Sequence, residues 1–461
     1  MYQYQKIILG YAPTRRVDFP PPEIAYEKSI PMRRRLEEIF AAIGDVELVN
    51  IDFLNEEGLL YDEKDVPAVE RRFREAGVDA IFMPHANFGC EGVVTALGKA
   101  MPDVPYLIWG PRDEAPKGLG FRETDTQCGL FASTMALYRQ GIVYSYIENC
   151  WLDSPVLEEG LDHFIRVVSV VKAFRHMQIG LIGPRPRPFM SVMVDESELM
   201  RKFGINIVPF DGTEFTRELE RLRREEPEKV SALVNETKRC VRCTTSNPEE
   251  LEIIAATEQA IWNIAENGGC TVMAGDCWYI LPEIYRVYPC FAFGNLTDKG
   301  LPTICEADLY GAITTVMLTA AARGKTPSFT ADLTIRHPEN DNAELLWHCG
   351  PFPKSLVKKS TEPEMIDQCM GQYEIEGGAL TVARFGGVGG DYRLFFGEGR
   401  GVDGPLTGGN YIWFETSDWP KWERKLMFGP YIHHVAGIHG RYASVLAEAC
   451  RYLGITADFA E

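Results

Sequence analysis

VDAIFMPHANFGCEGVVTALGKAMPDVPYLIWGP, residues 78–111, decides the architecture of the chain. Its first third is a short apolar run, VDAIFMPHANFG, of strand length. GCEGVVTALGKAM then carries a helical pattern, and VPYLIWGP is a second apolar run. Strand, helix and strand in about thirty residues is a βαβ unit, the building block of a parallel sheet covered by helices. The strands ending at Pro84 and Gly110 deliver loops at their carboxyl ends, where open α/β sheets bind ligands.

The same rhythm extends in both directions. Upstream lie the strand KIILGYAP (Lys6 to Pro13), a helix over 32–43, the strand VELVNIDFL and the helix PAVERRFREAG. Downstream, residues 126–147 and 156–176 read as helices. A second α/β series then starts at MQIGLIGPRPRPF. Its strands are 177–182, 205–211 and CTVMAGD, with helices near 195–203, 213–224 and 248–267. The loop Gly183 to Phe189 lacks G-x-G-x-x-G spacing, and its prolines remove amide donors, which excludes a nucleotide fingerprint. Its Arg185 and Arg187 are either solvated or placed to bind an anionic or polyol substrate. After about residue 350, EIEGGALTVARFG, YRLFFGEGRGV and YIWFE are short, β-rich and separated by glycines, as in an antiparallel sheet or small barrel. Residues 438–453 return to helix. The expected fold is two Rossmann-like parallel-sheet domains, 1–172 and 173–345, followed by an antiparallel β-rich, barrel-like domain, 346–461.

The 461 residues carry a formal net charge of −19, which opposes binding to nucleic acid or an anionic bilayer. No apolar stretch reaches spanning length, and MYQYQKIILGYAP has no signal-peptide pattern, so the expected location is the cytoplasm. Reduced thiols are therefore expected for the 12 cysteines, including the C-x-x-C of Cys240 and Cys243.

Chemistry concentrates in four places: TICEADLYGA with Glu306 and Asp308, SFTADLT with Asp332, ELLWHCG with His348, and GPYIHHVAGIHG with His433, His434 and His439. Five of the eight histidines fall in the last 125 residues. Carboxylates mixed with imidazoles suit Mn²⁺, Co²⁺ or Mg²⁺ better than a structural zinc. The bland alternative is that Glu306 and Asp308 cap the helix over 309–322. Trp278, Tyr310, Arg16, Gln127, Trp109 and Asn295 are polar candidates for substrate hydroxyls.

CEADLYGAITTVM, SFTADL, WHCG and HHVAGIHG, in this order, resemble the L-fucose/L-arabinose isomerase superfamily. WHCG and the paired histidines resemble the arabinose branch; Asp332 and EADLYGA resemble the fucose branch. The resemblance implies a metal-dependent aldose–ketose isomerase acting on a pentose or (6-deoxy)hexose through an enediol proton transfer. It implies Glu306 and Asp332 as metal carboxylates and acid/base groups, with His434 and His348 as further ligands. Asp308 and His433 would line the pocket and assist proton handling, and Phe329 would form an apolar wall. It also implies a homo-oligomer, hexamer or trimer, in which Arg16, His85 and Gln127 serve a neighbouring subunit's site. An epimerase or aldolase using the same enediolate, and a non-catalytic sugar-binding protein, are the rival readings.

Overall fold

A computed structural model describes residues 6–18, 22–118, 122–245 and 247–460; the first five residues of the N-terminal stretch read above lie outside it. The contacts divide the chain into two units, residues 5–172 and 173–461.

The first unit is a five-stranded parallel sheet. Its strands lie in the order Val46–Val49, Ile7–Tyr11, Ala80–Pro84, Tyr106–Trp109, Ser145–Tyr146. Ala80, Ile81, Phe82 and Met83 have no exposed surface, which is why this strand reads as a continuous apolar run. The strand order reverses between Ile7–Tyr11 and Ala80–Pro84, so the loops after these two strands adjoin. Thr14 bridges His85, and the Arg16 amide donates to Asn87 Oδ1 at 2.8 Å.

The second unit opens with a four-stranded parallel sheet in the order Thr303–Ile304, Val272–Gly275, Gln178–Ile182, Asn206–Phe210. The helix Leu309–Ala321 follows, buried at every position. It packs on the strands His434–His439 and Gly378–Val388 of a ten-stranded, largely antiparallel sheet. Within that sheet Asp391–Val402 pairs with Gly378–Val388 on one side and, at its far end, with Asn410–Glu415. The second pairing closes six strands into a barrel. The fold is thus the expected one: parallel α/β sheets followed by an antiparallel, barrel-like sheet.

The structure differs from the sequence reading in several elements: the helix expected over 32–43 begins at Pro22, and the barrel begins at Phe329, within the segment assigned to the central α/β domain. The helix predicted over 126–147 stops at Arg139, where Gly141 (φ 67°) turns the chain into the edge strand Ser145–Tyr146. The helix predicted from 438 begins at Ala443; His434–His439 is a central strand, held between Phe329–His337 and Gly378–Val388. Among the described residues no helix is long and apolar enough to cross a membrane.

Candidate active site

The four-stranded sheet delivers three pieces of the site from the carboxyl ends of adjacent strands. Glu306 follows Thr303–Ile304, Asp276 and Trp278 follow Val272–Gly275, and the loop Gly183 to Phe189 follows Gln178–Ile182. Glu306 and Ala307 both adopt left-handed backbone, at φ 63° and 54°. Such non-glycine residues cost about 1–3 kcal/mol each and persist where the surroundings fix them. Here the turn aims the Glu306 carboxylate away from the following helix: Trp278 Nε1 donates to Oε1 at 3.0 Å, and Oε2 lies 3.0 Å from His434 Nε2.

The barrel supplies the other side. Asp332 and His434 are direct cross-strand partners, so both side chains stand on one face. His434 Nε2 is 3.7 Å from Asp332 Oδ1. Asp332 Oδ1 is buried with no hydrogen-bond partner, and it and Glu306 Oε2 both face His434 Nε2. Buried polar atoms are rarely left so. Two carboxylates around an imidazole are a donor set in which a divalent cation can take the place of the imidazole's proton. His433 joins them: one donor atom each from Asp332, His433 and His434 lie within 4.8 Å of one another.

Behind His434 stands Asp308. It caps Leu309–Ala321 through the Gly311 amide at 3.0 Å, and its Oδ2 accepts from His434 Nδ1 at 3.0 Å. Arg384 grips both oxygens, Nη2 to Oδ1 at 3.0 Å and Nη1 to Oδ2. Burial alone would raise the Asp308 carboxyl, but the Arg384 charge and the His434 hydrogen bond hold it well below the usual range. The bland capping role and the functional role thus coexist in Asp308. Expected in the pocket wall, it has no exposed surface and instead fixes the His434 ring, leaving Nε2 turned to Glu306.

The electrostatics follow from this crowding. Burial opposes charge on Glu306, yet His434, His348 and Trp278 lower its carboxyl and keep it ionised. Burial also opposes a proton on His434, but Asp308 and Glu306 raise the ring to about 9. His348, also raised to about 9 against burial, has Cys349 beside it and Asp332 and Glu306 within charge reach. Its Nδ1 accepts the Cys349 amide at 2.9 Å, so the neutral ring carries its proton on Nε2.

The remaining candidates scatter. Trp278 is 39% exposed beside Glu306. Phe329 is not a pocket wall: it is buried in the barrel core, its ring 4.7 Å from that of Phe352. Tyr310 is buried, its hydroxyl donating to the Gly387 carbonyl at 3.3 Å. Asn295 and Trp109 are buried too, Asn295 donating to Glu258 at 3.1 Å. In the first unit Arg16 is exposed and stacks over Phe88 at 3.9 Å, and Gln127 is exposed at the start of its helix. His85 is fully buried, its Nε2 3.1 Å from Ser133 Oγ.

Three features escaped the sequence reading. Arg384 was visible only as one charge inside the apolar run ALTVARFG. Phe189 lays its ring edge-on to Trp278, His433 and His434 at 5.1, 5.9 and 5.8 Å. A row of thiols backs the site: Cys290 Sγ is 3.3 Å from Cys349 Sγ, and Cys305 contacts both Cys277 and Cys290. By contrast Cys240 is exposed, and Cys243 Sγ donates to the Val241 carbonyl at 3.7 Å. All twelve cysteines are free.

Comparison with known proteins bears on the chain outside this site as well. Residues 13–175 match the family profile described as the fucose/sulfoquinovose isomerase N-terminal domain. The chain is similar to the sulfoquinovose isomerases of Priestia aryabhattai and Priestia megaterium, each 26% identical over 314 residues that cover 66% of this chain and 69% of theirs. It is also similar to that of Alkalicoccus urumqiensis, 23% identical over 66% of this chain and 68% of the relative. Over residues 13–175 the chain thus resembles the N-terminal domain of the fucose/sulfoquinovose isomerases, and over about two thirds of its length it is similar to sulfoquinovose isomerases.

Proposed function

We propose that the protein interconverts an anionic C6-substituted aldohexose, of the sulfoquinovose class, and its ketose, with a divalent cation held by Glu306, Asp332 and His434. The observation that carries the metal reading is that Glu306 Oε2 and Asp332 Oδ1 both face His434 Nε2, with Asp332 Oδ1 buried and unsatisfied. The substrate class is the one that the similar proteins' names give them.

A cation of the Mn²⁺, Co²⁺ or Mg²⁺ kind held there would act as a Lewis acid toward the substrate's carbonyl and acidify the C–H bond on the adjacent carbon. The chain's own residues do the rest. Asp332 keeps more accessible side-chain surface than Glu306, 19% against 9%, and is assigned the proton transfer between C2 and C1 through a cis-enediol. Glu306, with Oε1 held by Trp278, is assigned to the cation. His348 donates from Nε2 to a substrate oxygen instead of ligating. His433, exposed just before the strand His434–His439, is assigned proton exchange with the hydroxyls. Burial pulls its ring below the usual range and the neighbouring His434 adds to this, which keeps it neutral and able to accept a proton. Phe189 shields the His433–His434 face from water. A homo-oligomeric assembly and a cytoplasmic location are carried forward as proposals on the resemblance.

Stripping the protein with a chelator and assaying a panel of aldoses, with and without added Mn²⁺, tests the reading. Ketose formation from sulfoquinovose only after Mn²⁺ is restored is the expected result. Full activity after exhaustive chelation would refute the metal site.

A further inference from the structure

A sulfonated sugar carries a fixed negative charge at the end opposite its reacting carbons. Yet the carboxylates of Glu306, Asp308 and Asp332 dominate the reacting end. Arg384, the cation there, is wholly engaged by Asp308 and only 2% exposed. A separate cation must meet the far end of such a substrate.

The loop Gly183 to Phe189 reads G-P-R-P-R-P-F. Prolines at 184, 186 and 188 fix three backbone φ angles, and Gly183 (φ 71°) makes the turn out of the strand. The two arginines in this frame do different work. Arg185 folds back: its Nη1 donates to the carbonyls of Pro186, Arg187 and Phe189 at 3.3, 3.4 and 3.2 Å, and so ties the loop into shape. Arg187 is exposed, and among the described residues its side chain makes no hydrogen bond or ion pair.

The loop is pinned at two points beside the site. The Arg187 amide lies 3.4 Å from the Tyr279 hydroxyl, and Tyr279 adjoins Trp278, which binds Glu306. Phe189 touches His433 and His434 edge-on. Two residues of extended chain span at most ~7 Å. The Arg187 Cα therefore lies within that distance of the Cα of Phe189, whose ring borders the site, and its side chain is long enough to reach the far end of a hexose.

Resting on the substrate class proposed above, we infer that Arg187 is the specificity-determining residue for an anionic group at C6 of the sugar. Its planar fork of donors matches two oxygens of a tetrahedral sulfonate, and the proline frame and Arg185 preorganise it.

The test compares sulfoquinovose with glucose, which has the same stereocentres and no sulfonate, in wild type, Arg187→Gln and Arg187→Lys. The wild type is expected to favour sulfoquinovose. Arg187→Gln lowers the ratio of the two kcat/KM values by roughly 10- to 100-fold, mainly through KM for sulfoquinovose, and Arg187→Lys restores part of it. An equal loss on both sugars, or no change in the ratio, would overturn the inference while leaving the substrate reading intact. A wild type that isomerises neutral sugars but not sulfoquinovose would overturn both.

Discussion

His85 and His434 are both buried histidines on or beside a sheet, one in each unit of the chain, and their protonation is displaced in opposite directions. His85 has only the Ser133 hydroxyl beside Nε2, and burial lowers its ring to about 3. His434 is as deeply buried but lies between Asp308 and Glu306, and is raised to about 9. Burial is common to both; the carboxylates make the difference. His85 Nδ1 is also buried without a partner, but no charge offsets its burial. An imidazole whose Nδ1 is fixed by a buried Asp and whose Nε2 meets two further carboxylates is a group set for a cation or a proton.

The largest effects should come from the charged cluster. Glu306→Gln and Asp332→Asn are expected to lower kcat by at least about 10³-fold, within the range for acid–base groups. Glu306→Gln should also weaken Mn²⁺ binding more than Asp332→Asn does, measured by electron paramagnetic resonance of free Mn²⁺. Equal kcat in both variants and wild type would erase the distinction between the two histidine sites.

Next in size is the support behind His434. Arg384→Met leaves the buried Asp308 carboxylate with only His434 and the Gly311 amide, and up to about 3–5 kcal/mol of stability should be lost. Pairing it with Asp308→Asn should recover part of that loss. Thermal melts of the three variants decide it; additive losses would show that the two residues are not coupled.

The comparison sharpens with pH. The ring of His85 is depressed when folded, so its contribution to stability is present above its unfolded pKa near 6.5 and is lost as pH falls toward 3. That amounts to about 2 kcal/mol by pH 5. His85→Gln should therefore flatten the acid side of the stability curve. An unchanged slope would contradict the burial argument.

The smallest effect is at Glu344. Burial raises this carboxyl to about 7, with Glu423 adding to the rise and Arg336 opposing it. A raised folded pKa means that its stability is present below about 4.5 and is lost as pH rises through 7. Glu344→Gln should stabilise the protein by ~1–2 kcal/mol at pH 8 and by nothing at pH 4. Melts at the two pH values check the sign.

How much of this was legible in the sequence follows from range. The parallel sheets were, because each strand buried on both faces is a local apolar run bounded by turns. The barrel's glycine-broken strands were also local signals. The strand His434–His439 was not, since its pairing with Phe329–Asp332 is a contact across a hundred residues and its composition suits a helix as well. Glu306, Asp332 and the paired histidines stood out as residue types in a suggestive order, but their convergence is tertiary. The placement of Asp308 behind His434, the withdrawal of Phe329 and Tyr310 into the core, and Arg384 all depend on which face of a strand or helix meets which. Arg187 was legible as one of two arginines that could meet an anionic substrate, but not as distinct from Arg185 until Phe189 is seen against His433.

Nuclear magnetic resonance of sulfoquinovose incubated in D₂O with the Mn²⁺-loaded protein is the most direct test of the central claim. The account predicts ketose with deuterium at C1 and, in the recovered aldose, deuterium at C2, both absent in folded Glu306→Gln and Asp332→Asn. Ketose formed with no solvent deuterium would show a hydride shift in place of carboxylate proton transfer, and ketose formed equally well by both variants would remove these residues from the chemistry.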